Sequence, residues 1–278
     1  MTPTIAGLFV YPVKSCKGLS AHSAQLSPRG LLRDREWMIV GSGGDPARFI
    51  TQRECPRLAL IETGLGESAL TLSAPGMAPI AVDYGLAGER RDVVVWRDTV
   101  RAVDQGDAVA NWLSTFVGSS VRLVRFDSDF IRLCNREYAG ESGAHTGFAD
   151  GYPLLVIGSA SLDDLNGRLQ KRGAGALPMN RFRPNLVIDG LEAYDEDHLA
   201  SLTCGSVTIR LVKPCVRCQI TTTDQASAEV GTEPLRTLAG YRNHARLGGV
   251  TFGMNAIVAS GTGSTLTVGA DVLPEWAF

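Results

Sequence analysis

Val207-Thr208-Ile209-Arg210-Leu211-Val212-Lys213-Pro214-Cys215-Val216-Arg217-Cys218-Gln219-Ile220-Thr221-Thr222-Thr223-Asp224 sets a Cys-x-x-Cys pair between two stretches that favour extended backbone. Upstream, Val207, Ile209 and Leu211 alternate with Thr208, Arg210 and Val212, the period of a strand with one buried face. Downstream, Ile220 to Thr223 is rich in β-branched residues, which sit well on a pleated surface. The pair therefore reads as a corner between two strands. A thioredoxin-like dithiol wants its first thiol at a helix N-terminus, and no helical period starts here. A structural zinc site needs four ligands at short spacing. Here Cys16, Cys55, Cys134 and Cys204, and His22, His145, His198 and His244, are scattered singly. Two readings stay open: buried apolar thiols at a strand end, or one thiolate donated to a soft transition metal with Arg217 lowering its pKa.

Working outward, residues 4 to 104 show short apolar segments separated by turn residues. Ile5 to Tyr11, Ser23 to Leu26, Glu36 to Val40, Leu58 to Thr63, Ala69 to Ser73, Ile80 to Asp83, Val93 to Trp96 and Val100 to Val103 are predicted strands. Their spacing suggests an antiparallel barrel or sandwich. Val109, Trp112, Leu113 and Phe116 recur at helical spacing, with Asp107 as the expected cap. Residues 126 to 151 are polar and irregular, so they are predicted to form a long loop, and the domain boundary is placed there.

The second half has predicted strands at Leu154 to Ile157, Leu186 to Ile188, Val250 to Val258 and Thr265 to Val268. Ser161-Leu162-Asp163-Asp164 resembles a capping box before a helix carrying Leu165 and Leu169. Thr232-Glu233-Pro234 is predicted to open another helix running through Tyr241. The expected fold is mostly β with a few peripheral helices, an α+β chain divided at 1–125 and 126–278.

The bulk composition excludes several functions. Hydrophobic residues at 44% and charged residues at 20% describe a globular chain of 278 residues. With 27 Lys plus Arg against 29 Asp plus Glu, no nucleic acid polymer is expected as a partner, and any anion site must be local. No basic region precedes the first apolar patch, so a signal peptide is not expected. No apolar run approaches the roughly 18 to 20 residues that cross a bilayer, so no membrane association is expected. Unevenly spaced cysteines do not form a secreted disulfide scaffold, and the expectation is a cytoplasmic protein with reduced thiols.

Three basic clusters stand at predicted strand ends: Lys14-Ser15-Cys16-Lys17-Gly18, Arg33-Asp34-Arg35, and Arg181-Phe182-Arg183-Pro184-Asn185. Each alone is consistent with a solvated corner. Together they could converge on one anion, since arginine recognises phosphate or carboxylate with two parallel hydrogen bonds. No Gly-x-x-x-x-Gly-Lys or Gly-x-Gly-x-x-Gly is present, which turns the reading from a nucleotide loop toward a small phosphate-bearing cofactor.

Tyr11-Pro12-Val13-Lys14-Ser15-Cys16-Lys17-Gly18, Leu32-Arg33-Asp34-Arg35-Glu36-Trp37, Phe182-Arg183-Pro184-Asn185 and Cys215-Val216-Arg217-Cys218 with Thr222-Thr223-Asp224 occur in that order. This series resembles the MOSC (molybdenum cofactor sulfurase C-terminal) domain family, preceded by its N-terminal β-barrel domain. Within the family it is most similar to the mitochondrial amidoxime-reducing component and its bacterial homologues. The resemblance implies a molybdenum cofactor (molybdopterin) whose metal is held by Cys218 and whose phosphate is held by Lys14, Ser15, Arg35 and Arg183, with Arg181 and Asn185 also expected to bind the cofactor. Arg181 stands where the mitochondrial proteins lead one to expect Asn. No Cys follows Cys218, so no iron–sulfur cluster is expected in this chain.

The implied activity is reduction of N-hydroxylated compounds, namely hydroxylamines, amidoximes and N-hydroxylated bases. Electrons would come from a separate ferredoxin, cytochrome or flavin reductase. Asp224 would share a strand face with Cys218 if the segment is extended, which would make it a proton donor or an orienting group; a turn Asp fits equally. Cys215 is expected to be structural. The alternative is a module that carries or sulfurates the cofactor without reducing substrates.

Overall fold

The computed structural model describes residues 2–277. Strand Val207–Val216 forms where alternation predicts it, with Val207, Ile209 and Leu211 buried. It lies inside a nine-stranded sheet. Along the main path the order is Leu19–Ala21, Thr4–Val10, Leu186–Asp189, Leu154–Gly158, Gly249–Ser260, Val207–Val216, Leu199–Cys204 and Leu273–Trp276. Its named pairs are antiparallel except Leu154–Gly158 with Leu186–Asp189, whose parallel pairing needs a crossover. Helix Ser159–Lys171 supplies it, burying Leu165 and Leu169.

A second, five-stranded sheet runs Trp37–Gly41, Val121–Phe126, Asp98–Asp104, Arg90–Val95, Ala47–Arg48. A three-stranded meander, Glu62–Leu65, Ala69–Ala74 and Met77–Asp83, shares a core with helix Asp107–Val117. That core joins Trp37, Ile39, Leu70 and Leu72 to Val109, Leu113 and Phe116. The mostly β expectation with peripheral helices describes this architecture. The chain crosses the division expected at 125/126: strand Thr4–Val10 pairs with Leu186–Asp189, and Ile5, Leu8 and Val10 belong to the same core as Leu202, Ile209 and Met254.

Several local expectations are corrected. Of residues 58 to 63 only Glu62 and Thr63 are strand, opening Glu62–Leu65; Pro56 opens a 3-10 turn, Pro56–Leu60, that buries Leu58 and Ala59. Gly106, at φ +86, precedes helix Asp107–Val117, so Asp107 is its first residue and not its cap. Ser161 lies inside a helix that begins at Ser159, and its hydroxyl donates to Glu196 instead of capping. The helix predicted through Tyr241 stops at Leu238, before Gly240. Residues 126 to 151 carry a hairpin, Arg132–Leu133 with His145–Thr146, and a short helix, Arg136–Ala139.

The downstream arm of the Cys pair is also not a strand. Gln219–Thr222 is a 3-10 turn, in which Thr221 Oγ1 donates to the Cys218 carbonyl at 3.0 Å and Thr222 Oγ1 to the Gln219 carbonyl at 2.8 Å. Threonine hydroxyls that bond back to the preceding turn override β propensity. The upstream strand is bulged between Leu211 and Lys213 and again between Pro214 and Val216, and bulges re-aim side chains near sites.

Candidate functional site

One cleft is lined by Lys14, Ser15, Arg35, Arg183, Asn185 and Cys218, residues drawn from all three basic clusters and the Cys pair. Pairing of Thr4–Val10 with Leu186–Asp189 sets the first cluster beside the third. The second joins them because the Arg35 amide donates to the Tyr11 carbonyl at 2.7 Å and Lys14 N donates to the Trp37 carbonyl at 2.8 Å. Ser15, Arg35 and Arg183 sit at positive φ, +68, +45 and +56. Each such non-glycine conformation costs about 1 kcal/mol or more, so the surrounding fold must impose it.

Tyr11 is the spacer on which the two arginines are built. The Arg35 and Arg183 guanidinium carbons each lie 4.2 Å from the centre of its buried ring. Gly18 makes room for that ring, since a Cβ at this position would fall 2.3 Å from Tyr11 Cε1. Burial raises the Tyr11 phenol to about 12, against the opposing pull of the arginines.

Arg35 donates to Asp34 Oδ2 at 2.6 Å, to Asn185 Oδ1 at 3.0 Å and to the Arg183 carbonyl at 3.0 Å. Asn185 in turn donates to the Phe9 carbonyl at 3.1 Å and accepts from Leu155 N at 3.2 Å, so its amide holds Arg35 in place. Arg183 Nη1 donates to the Cys16 carbonyl at 2.7 Å, whereas Nη2 is buried with no acceptor. Burial, and then the neighbouring Arg35, lower Arg183 to about 10. A buried guanidinium N–H without a partner beside a second arginine has capacity to donate to an anion.

Lys14 is 6% exposed; its ammonium donates to the Phe148 carbonyl at 2.8 Å and pairs with Asp150. Burial lowers its pKa, and Asp150 opposes the shift. Asp150 also accepts from Trp96 Nε1 at 3.0 Å. Ser15 is anchored through its carbonyl, which accepts from Gln52 at 2.7 Å, and Gln52 exchanges two amide hydrogen bonds with Gln225 at 3.1 and 3.0 Å. This clasp ties the first basic cluster to the segment after Cys218.

Both cysteines of the pair line the cleft and both are free thiols. Arg217 donates to Cys215 Sγ at 2.9 Å and to the Phe182 carbonyl at 2.6 Å, so the thiol it touches is Cys215. Burial nevertheless pushes the Cys215 thiol up. Cys218 is partly exposed at the start of the 3-10 turn, the placement a ligand to an incoming group requires.

Two predicted residues are not in the cleft lining. Arg181 pairs with Asp224 at 2.7 Å and donates to the Thr222 carbonyl at 3.1 Å. Asp224 Oδ1 accepts from Ala226 N at 2.8 Å and Ser227 N at 3.0 Å, and these amides, with Arg181, hold its carboxyl below the usual range. The shared face with Cys218 does not exist, because the intervening backbone turns. Conversely, Asp150, Trp96 and Tyr152 line the cleft and escaped sequence reading. Asp150 lay within the presumed loop. Trp96 did carry a signal: with Arg97 it forms a two-residue hairpin turn, where glycine or asparagine would be expected.

Residues 2–120 match the MOSC N-terminal beta barrel domain and residues 143–273 match the MOSC domain. The chain belongs to the MOSC family. Mitochondrial amidoxime reducing component 2 of Rattus norvegicus is 37% identical over 251 residues, covering 86% of this chain and 72% of the relative. Mitochondrial amidoxime-reducing component 1 of Homo sapiens is 35% identical over the same 86% of this chain and 72% of its own length. Molybdenum cofactor sulfurase of Bos taurus is 31% identical over 97% of this MOSC chain, which spans 32% of that protein. No helix among the described residues is long and apolar enough to cross a membrane.

Proposed function

We propose that this MOSC protein is a molybdenum-cofactor-dependent reductase of N-hydroxylated compounds: hydroxylamines, amidoximes or N-hydroxylated bases. The observation that carries the reading is the union, in one cleft, of a partly exposed thiol, Cys218, with two arginines of which one keeps a buried N–H unpartnered. That donor set fits a group with a soft metal at one end and a phosphate at the other. Cys218 would ligate the metal, and Lys14, Ser15, Arg35 and Arg183 would hold the phosphate.

When bound, the cofactor supplies a Lewis-acid centre and two electrons. The net reaction consumes two electrons and two protons, breaks the N–O bond and yields the amine or amidine with water. The chain orients the cofactor through Asn185 and Asp34, which fix Arg35, and through the Gln52–Gln225 clasp, which fixes Ser15. Asp224, held ionised against Arg181, serves the geometry of the 222–227 turn and is not assigned the proton. A separate ferredoxin, cytochrome or flavin reductase delivers the electrons. Six free thiols suit a reducing compartment such as the cytoplasm.

A second reading, a cofactor carrier or sulfur-transfer module, is favoured by the similarity to a molybdenum cofactor sulfurase over 97% of the chain. Two measurements separate the readings. Molybdenum content by elemental mass spectrometry should be near stoichiometric in wild type and Cys215→Ala, and absent in Cys218→Ala. Benzamidoxime should then turn over with a chemical reductant in the loaded proteins; a loaded protein with no turnover would leave the carrier reading standing.

A further inference from the structure

A second groove opens beside the cleft. It shares Trp96, Asp150 and Tyr152 with the cleft and continues to Arg48, Arg97 and Lys213. Two of its charged contacts are internally balanced. Arg132 pairs with Asp98 at 2.6 Å, and Asp150 pairs with Lys14. By contrast, Arg48, Arg97 and Lys213 have no carboxylate partner among the described residues. Lys213 instead lies 4.6 Å over the Tyr138 ring, placed by the bulge that follows Leu211. Three cations without a carboxylate partner therefore line one groove.

The wall between cleft and groove is held rigidly. Trp96-Arg97 is the two-residue turn joining strands Arg90–Val95 and Asp98–Asp104, with Val95 opposite Asp98, and Trp96 is held at φ +58. Such turns favour glycine or asparagine, so a tryptophan there carries strain that the fold maintains for its position between cleft and groove. Tyr152, on the shared wall, is buried against Cys134, Ala139 and Ile257, which fixes that wall in place.

We infer that this groove is a substrate subsite that binds an anionic substituent, a phosphate or carboxylate, of an N-hydroxylated substrate whose N–O group enters the adjoining cleft. The kinetic part of this inference rests on the reductase reading; the binding part does not.

Two substrate pairs differ only in the anion: benzamidoxime with its 4-carboxylate, and N4-hydroxycytidine with its 5′-monophosphate. With a chemical reductant, the anionic member of at least one pair should show about tenfold lower KM in wild type, the change that 1.4 kcal/mol produces and three exposed charge contacts can supply. Arg97→Ala/Lys213→Ala should abolish that preference and leave kcat and KM for the neutral member unchanged. Equal KM values within both pairs, or a preference that survives in the double variant, would overturn the proposal.

Cofactor-free protein gives the second readout. Titration with cytidine 5′-monophosphate should show binding that weakens several-fold in Arg97→Ala/Lys213→Ala and persists in Arg183→Met. Binding that instead follows Arg183 would send the anion to the cofactor cradle and refute the subsite. So would a nucleotide released with the cofactor from wild type but not from the double variant, which would assign the groove to the cofactor. If no substrate turns over, the reductase reading fails, and this titration still decides the groove.

Discussion

Arg183 is strained at φ +56, stacked on Tyr11 and short of one hydrogen-bond partner, which is a poor arrangement for stability alone. A buried cation beside another cation is better replaced by an apolar side chain of similar length unless an anion arrives. Arg183→Met should therefore leave the melting of cofactor-free protein within about 1 kcal/mol of wild type, since removed repulsion offsets the lost bond to Cys16. The same variant should retain at least about tenfold less molybdenum, as expected for a lost charged phosphate contact. Calorimetry of the cofactor-free protein with metal analysis of the loaded protein checks both, and a large loss of stability without cofactor would make Arg183 a structural residue. Lysine, serine and arginine at three strand ends were legible as groups able to bind phosphate, and the structure brings Lys14, Ser15, Arg35, Arg183 and Asn185 into one cleft. Asp34 was visible only as a member of a basic cluster, and its role in fixing Arg35 required its burial.

At the scale of elements, local pattern located most strands but misjudged how helices and turns begin. Glu196, fully buried, accepts from Gly158 N at 3.2 Å and from Ser161 Oγ at 2.7 Å, so helix Ser159–Lys171 is held at its start by a carboxylate 38 residues from Gly158. No reading of residues 158 to 164 could supply that partner. Glu196→Ala should cost about 2–3 kcal/mol, because two buried donors lose their acceptor. Burial raises the Glu196 carboxyl above its ordinary 4.5, against its hydrogen bonds. The folded state thus favours the protonated form; the contribution to stability is fully present below about pH 4.5 and is lost as pH rises through the raised value. Glu196→Gln should consequently flatten this part of the stability profile and be at least as stable as wild type at pH 7. Chemical denaturation of the two proteins from pH 4 to 8 tests it, and parallel profiles would contradict it. The turn after Cys218 teaches the same lesson, since Ile220 to Thr223 has β propensity but its threonine hydroxyls find carbonyls within the turn.

At the scale of the whole molecule, the two halves are joined by strand Thr4–Val10 in the large sheet and by the Gln52–Gln225 clasp. Residues 126–278 expressed alone should fail to give a monomer with cooperative unfolding. They would expose the edge of Leu186–Asp189 and lose the contacts of buried Ile5, Leu8 and Val10, each worth about 1.5–3 kcal/mol. Together these approach the entire margin of an ordinary domain, roughly 5–15 kcal/mol. Size-exclusion chromatography and thermal unfolding of the fragment, with and without a peptide of residues 2–21, measure it; a well-folded fragment would show the first strand to be dispensable. By itself, the sequence determined the β character, the helical stripe of Val109 to Phe116, the presence of three basic clusters at strand ends and the family, because period, residue type and motif order are local properties of the chain. Only the tertiary structure decided that Arg35 and Arg183 share Tyr11, that Asp224 faces Arg181 and not the cleft, and that Trp96 and Lys213 border one groove. Those relations depend on sheet register, bulges and a 3-10 turn, which are fixed by contacts between residues far apart in sequence.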